Sequence, residues 1–247
     1  TFEVISWNIE WFPKNGQTTV DSVSVILESL DADVYAIQEV DDTTIFKQMV
    51  DYLDGYEYFF KSSYFAGLAY VYKSETIEIT DIYEIYTSQP YWSPFPRSPV
   101  VMELTFNNEE IIIINNHFKC CGNGIMNLSD SGDEETRRYY ASNLLKEYID
   151  NNFSDKRVIM LGDLNDIITD SEANNVFQGF LNDSLNYQFS DMEIALGQYF
   201  GWSYPSWPSH LDHILITNEV FDEFVNPESE IKVIKVDEFI SGGWSAY

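Results

Sequence analysis

Four consecutive isoleucines, Ile111 to Ile114, sit at the centre of residues 109–117, EEIIIINNH. A run without polar alternation predicts a strand buried on both faces, so the chain must cover it from each side. The run ends in Asn115-Asn116-His117. Polar groups at the end of a doubly buried strand need partners or a task, because burying them unpaired costs free energy.

The rest of the chain supplies the covering layers. Residues 2–8, 34–38, 56–60, 66–73, 77–86, 99–106, 157–162 and 213–217 read as further strands. Residues 19–31 fit an amphipathic helix through Val20, Val23, Ile26, Leu27 and Leu30, with Thr18 or Thr19 as its cap. Residues 43–54 fit a second, with Ile45, Met49, Val50 and Leu53 on one face. Residues 135–152 form the clearest helix, striped by Ala141, Leu144, Leu145, Tyr148 and Ile149, with Asp133, Glu134 and Glu135 at its favourable N-terminal end. A short helix is expected at 171–181. Strands and helices mix without strict alternation, which predicts an α/β plan of two packed sheets with helices outside. No repeat and no long Pro/Gly linker divides the 247 residues, so one domain, 1–247, is expected.

Composition sets limits on function. Asp plus Glu number 41 against 13 Lys plus Arg, a formal net charge of -28. That charge repels polyanions at long range and disfavours a broad basic nucleic-acid surface, but not a local basic cleft or a site charged by divalent cations. Solubility is the plainer explanation of the acidity. No run of 18 apolar residues is present to span a membrane. The chain starts at Thr1 within a strand-like stretch, which suggests a missing upstream leader and an extracellular or periplasmic location. No protein partner is implied, and a monomer is expected.

Polar residues recur where apolar strands end. Asn8 ends the first strand, Gln38-Glu39 the second, and Gly162-Asp163-Leu164-Asn165 follows VIML. Asp212-His213 precedes the last strand within SHLDHILIT, which holds two of the three histidines, His210 and His213. Singly, each has an ordinary explanation as a turn, cap or satisfied core residue. Together their chemistry is coherent. Asn8, Glu39 and Asp212 offer hard oxygen ligands for Mg²⁺, Mn²⁺ or Ca²⁺, whereas zinc would want more His or Cys. Asp163 can orient or deprotonate water, Asn165 can hold the nucleophile or a phosphoryl oxygen, and His117 and His213 can donate to charge developing on phosphate. This set fits metal-assisted phosphate ester hydrolysis.

The blocks SWNIEWF (6–12), AIQEV (36–40), NNHFK (115–119), GDLND (162–166) and SHLDHILI (209–216) resemble, in order and across nearly the whole chain, the endonuclease/exonuclease/phosphatase superfamily. The resemblance implies a four-layer α/β sandwich with two central mixed β-sheets, the deoxyribonuclease I-like fold. It implies Mg²⁺ or Mn²⁺ bound mainly by Glu39, helped by Asn8. Asp163 and Asn165 would position the attacking water, and Asp212 would pair with His117 or join a metal site. His213 would face the scissile phosphate, and His210 falls outside the pattern. FPRSPVVMEL (95–104) is similar to a block in which an arginine precedes a Pro-started strand, making Arg97 either a phosphate contact or a surface arginine. Lys119 is a second candidate for substrate binding, and Arg137-Arg138 is ambiguous.

The sequence departs from the pattern in places. His210-Leu211 precedes Asp212, where relatives often carry Ser, and a carboxylate to hold the first catalytic histidine is not found in 65–73. The loop 119–135 reads as an insertion beside the site. Its adjacent Cys120 and Cys121 are paired or free, and its Asp130, Asp133, Glu134 and Glu135 form either a structural Ca²⁺ site or a solvated acidic loop. Trp202, Tyr204 and Trp207 either stack on bases or pack as a lid. The expected function is a divalent-metal-dependent phosphodiesterase, foremost an endonuclease on DNA or RNA. The alternatives are a phosphomonoesterase or lipid phosphodiesterase and, last, a binding module that retains only the fold.

Overall fold

The computed structural model describes residues 1–60, 66–204 and 208–240. Strand β1 (Val4–Phe12) runs through helix α1 (Gln17–Leu30) into β2 (Val34–Val40), its parallel neighbour. Helix α1 buries Val23, Ile26 and Leu27. It starts after Gly16 without a side-chain cap, so neither Thr18 nor Thr19 caps it, and the Thr19 hydroxyl instead accepts the Asn15 N–H. Helix α2 (Thr43–Asp51) is capped by Asp42, whose carboxylate accepts the Thr44 and Ile45 N–H groups. Strands β3 (Tyr56–Phe60) and β4 (Gly67–Lys73) complete a sheet of order β1-β2-β4-β3.

The second sheet holds β5 (Glu78–Glu84), β6 (Val100–Phe106), β7 (Glu109–His117), β8 (Arg157–Asp163), β9 (Tyr187–Phe189) and β10 (Asp212–Thr217), in the order β5-β6-β7-β8-β10-β9. The isoleucine strand β7 lies inside this sheet, antiparallel to β6 and parallel to β8. Both sheets are therefore mixed. Helix α3 (Glu134–Asn152) crosses between β7 and β8 and is capped by Asp133.

Alternation along the strands divides the core into layers. Ile111, Ile113, Ile159, Leu161 and Ile216 pack between the sheets against Val34, Ala36 and Tyr70. Ile112, Ile114, Met160 and Leu215 face the other way, onto Ala141, Leu145 and Ile149 of α3. Helices α1 and α2 cover the outer face of the first sheet through Leu27, Phe46 and Val50. The result is four layers, helix–sheet–sheet–helix.

Two expectations change. Residues 171–177 are turns, and only Gln178–Leu181 is helical. Asn175 redirects the chain, donating to the Ile168 carbonyl and accepting the Phe177 N–H. Strand β9 was not anticipated, because three residues are too few to show a period. No helix among the described residues is long and apolar enough to cross a membrane.

Candidate active site

Asn115 and Gln38 hold the two sheets together beneath the site. Asn115 donates to the Ile37 and Ala69 carbonyls, each at 3.0 Å, and accepts Gln38 Nε2 at 2.8 Å. Tyr70, also buried, accepts the Asn115 N–H at 2.9 Å. These polar residues are committed to joining the sheets, so the next inter-sheet positions, His117 on β7 and Asp163 on β8, form the floor of a polar cleft.

Four expected residues meet there. Asn8 Nδ2 donates to Glu39 Oε1 at 3.0 Å and to Asp163 Oδ2 at 2.9 Å. His117 Nε2 lies 3.7 Å from each of those same carboxylates. Glu39 is placed by a left-handed backbone, φ 66°, and its second oxygen accepts the Trp11 N–H at 3.0 Å. Glu10 and Trp11 also have positive φ, at the bulge where β1 slips against β2. Such conformations are costly for non-glycine residues and recur where side chains must be re-aimed. Asn8 Oδ1 accepts the Glu10 N–H, so Asn8 bridges the two carboxylates through its amide nitrogen and ligates a metal only if the amide turns over.

Asp212 and Asn165 extend the cluster. Asp212 is the register partner of Asp163 across β10 and β8. Its N–H and that of Leu211 both donate to Ser203 Oγ at 3.1 Å, a positioning contact the sequence did not suggest. Asn165, with φ 53°, donates its N–H to Asp163 Oδ1 at 3.1 Å and its side chain to the Phe118 carbonyl. Burial, reinforced by the Asp212 charge, pushes the Asp163 carboxyl up to about 7. Burial and then Arg97 push His117 down to about 3, so its imidazole is neutral, and its buried Nδ1 has no hydrogen-bond partner among the described residues. Arg97 donates to the Ala66 carbonyl at 3.0 Å and lies within electrostatic reach of Glu39 and Asp163. Lys119 turns its ammonium to the Cys120 carbonyl at 3.0 Å, beside the cleft rather than into it.

The structure overturns the expected position of His213. Consecutive strand residues face opposite sides, so with Asp212 on the inter-sheet side His213 faces α3. Its fully buried ring packs edge-on against Phe177 and Phe189 in the helix-side core. Nδ1 lies 2.6 Å from Asp191 Oδ2 and Nε2 lies 2.8 Å from the Asp166 carbonyl. Both partners are acceptors, so the ring carries both protons and cannot reach a phosphate in the cleft. Burial opposes that charge, but the Asp191 carboxylate outweighs it and raises the His213 pKa. Burial likewise opposes ionisation of Asp191, but His213 and the surrounding donors hold its pKa well below the carboxylate range.

His210 completes this second cluster. Its Nδ1 accepts the Ser203 N–H at 3.2 Å, so its Nε2 carries the proton and donates to Asp191 Oδ2 at 2.9 Å. Asp191, His210 and His213 approach closely enough to hold a metal ion, yet protons already occupy the nitrogens that would ligate it. Asp191 carried no sequence signal, since it follows the short strand β9.

The carboxylates at the cleft are different. Glu39, Asp163 and Asp212 converge, with Arg97 in reach of the first two, and burial and the neighbouring Asp212 charge raise the Asp163 pKa. Two carboxylates with an amide and open positions suit a magnesium-class ion. The acidic loop differs again, since Asp133 caps α3 and Glu135 accepts the Gly124 N–H and pairs with Arg138. Asp133, Glu134 and Glu135 still bring ligand oxygens close enough together for a metal ion, and the second oxygen of Glu135 has no hydrogen-bond partner among the described residues. Arg138, buried, donates to Asp166 Oδ2 at 2.8 Å and to the Lys119 and Cys121 carbonyls at 2.7 Å. Its role is to tie the 119–121 and 163–166 loops together. Trp202 packs through Nε1 onto the Ile194 carbonyl, Tyr204 is partly exposed, and Trp207 lies outside the described residues.

The model of the Endonuclease/Exonuclease/phosphatase family matches residues 5–231, and the chain belongs to that family. Its members are metal-dependent phosphoric ester hydrolases, so the chain is an enzyme of that class. Among solved structures, D. rerio TDP2 complexed with single-strand DNA product is 17% identical with a TM-score of 0.67, covering 87% of this chain and 83% of that one. The catalytic domain of human Nocturnin with bound sulfate is 20% identical with a TM-score of 0.62, covering 88% and 82%. A Bacteroides thetaiotaomicron mannosyl-6-phosphatase is 17% identical with a TM-score of 0.65, covering 88% and 86%. These likenesses establish the deoxyribonuclease I-like fold. A sequence search of curated proteins finds no match.

Proposed function

We propose that the chain hydrolyses phosphodiester bonds in nucleic acid, single-stranded DNA or RNA foremost. The observation that carries the reading is the convergence of Glu39, His117 and Asp163 around Asn8, with Asp212 and Asn165 alongside. Glu39 and Asp212, joined by Asn8 when its amide turns over, would hold the divalent cation, which when bound supplies positive charge to the phosphoryl oxygens. Asp163 accepts a proton from the attacking water, and Asn165 orients that water or a phosphoryl oxygen. Neutral His117 donates from Nε2 to a non-bridging oxygen. Arg97 adds a fixed positive charge at the edge of the cleft.

Exposed aromatic side chains support a nucleic-acid strand over a duplex. Trp11 donates its backbone N–H to Glu39, and Tyr199, Phe200 and Tyr204 precede Asp212 in the chain. Stacking on such side chains is tolerant of sequence and needs little basic surface, consistent with a net charge of -28. That charge, together with the mannosyl-6-phosphatase among the similar structures, favours one second reading: a monoesterase on small sugar phosphates. The test is hydrolysis of single-stranded oligonucleotide, supercoiled plasmid and mannose 6-phosphate, with Mg²⁺ or Mn²⁺ and with chelator. Metal-dependent cleavage of the oligonucleotide or plasmid supports the proposal. Turnover of the sugar phosphate alone replaces it with the second reading.

A further inference from the structure

The loop that follows His117 holds the only two cysteines, Cys120 and Cys121, and nothing in the hydrolytic chemistry uses them. Their side chains point at each other. The Cys121 thiol donates to Cys120 Sγ at 2.8 Å, and Cys121 is exposed to solvent. The loop is held from beneath. Arg138 binds the carbonyls on both sides of Cys120, and Glu135 accepts the Gly124 N–H. A Cβ at Gly122 would meet Glu135 Oε1 at 2.3 Å, so the chain there lies flat on that carboxylate. Lys119 Nζ lies 3.8 Å from Cys120 Sγ, and Arg97 and Arg137 lie within its electrostatic reach. Cys120 Sγ thus faces cations, while the hydrogen bond to Cys120 raises the Cys121 pKa and holds its proton.

We propose that Cys120 and Cys121 form a thiol–disulfide exchange site for low-molecular-weight disulfides, and that its state sets the charge of the cleft edge. The Cys120 thiolate attacks one sulfur of the disulfide, forming a mixed disulfide and releasing one thiolate. Cys121 then attacks Cys120 Sγ, closes a vicinal disulfide and expels the second thiolate, which takes the Cys121 proton. The protein loses two electrons and the small disulfide gains them. Wherever Cys120 is ionised, closure removes that charge beside Lys119 and Arg97, so the cleft edge becomes more positive and binds phosphate more tightly. This last step rests on the phosphoesterase reading, whereas the exchange chemistry does not.

The test equilibrates the full chain with reduced and oxidised glutathione over a range of ratios. Acid quenching, alkylation and intact mass then follow, with inorganic phosphate titrated in Mg²⁺ against the fully reduced and fully oxidised forms. The expected result is a monomer lighter by two hydrogens, with neither cysteine alkylated, that binds phosphate several-fold more tightly than the reduced form. Cys120→Ser and Cys121→Ser should stop at a mixed disulfide and lose the redox dependence. Thiols that remain alkylatable at every ratio, or yield only mixed disulfides or dimers in the wild type, would overturn the exchange site. A ring that forms without changing phosphate affinity would overturn the coupling to the cleft and leave the catalytic reading to its own assay.

Discussion

The imidazole of His213 is bound to Asp191 at 2.6 Å on the opposite face of the sheet from its sequence neighbour Asp212, which pairs with Asp163. One carboxylate thus serves the cleft while the adjacent histidine supports its floor from behind. His213 holds the Asp166 carbonyl, and Arg138 holds the Asp166 carboxylate, so the turn that carries Asn165 is fixed from two sides. Placement of Asn165 therefore depends on residues that never meet the substrate.

Asp191→Ala leaves a buried imidazolium unpaired, and the expected loss is about 3–5 kcal/mol of folding stability. Urea unfolding measures it. The pKa of Asp191 is depressed in the folded protein, so its contribution is full above the unfolded value of about 3.9 and is lost as pH falls through the folded value. The gap between wild type and Asp191→Ala should close as the pH is lowered below about 4 and stay constant, as far as this group is concerned, from there to neutrality.

Asp163 behaves in the opposite sense. Its folded pKa is raised to about 7, so without a cation the ionised form costs stability, increasingly as pH rises from the unfolded value of about 3.9 toward 7. Asp163→Asn should raise the melting temperature of the metal-free protein at pH 8 while abolishing hydrolysis. Mg²⁺ at 100 times its Kd should stabilise the wild type by about 2.7 kcal/mol, and chelator should reverse this. Scanning calorimetry with and without EDTA decides both. A melting temperature indifferent to divalent cations would count against the assigned cleft.

Asn165→Ala removes an orienting group while leaving Glu39 and Asn8 in place. A fall in kcat of about 10²–10³ with little change in KM is expected. Glu39→Gln should instead weaken Mn²⁺ binding directly, visible by isothermal titration without any substrate. His213→Gln should lower kcat less than His117→Ala does, because His213 acts only through the Asp166 carbonyl.

Gly162 marks where the chain passes closest to its neighbour. A Cβ there would lie 1.9 Å from the Asn116 carbonyl oxygen, at a φ of 142° that side chains rarely adopt. Gly162→Ala must part β7 from β8 just before His117 and Asp163. Loss of soluble folded protein, or a melting transition lowered by many degrees together with lost activity, is the expected outcome in circular dichroism.

The isoleucine run, the helical stripe of 135–152 and the polar strand ends were legible because each is a local pattern: periodicity, or a polar group beside apolar neighbours. They are enough to define the layered α/β class and to group Asn8, Glu39, His117, Asp163, Asn165 and Asp212 into one set. His213 was misplaced because proximity in sequence means opposition across a strand, and the face each residue takes is set by the pairing of β10 with β8. Asp191 and Ser203 were invisible because their partners lie many residues away and their own surroundings carry no period. The same holds for Arg138, one of two adjacent arginines: only packing of α3 against the 119–121 loop buries it and leaves Arg137 at the surface layer, bonded to the Ser93 carbonyl. The kinds of residue, and the strands and helices that carry them, follow from local pattern alone. Which side of each element faces the cleft follows from long-range register and burial, which no local pattern encodes.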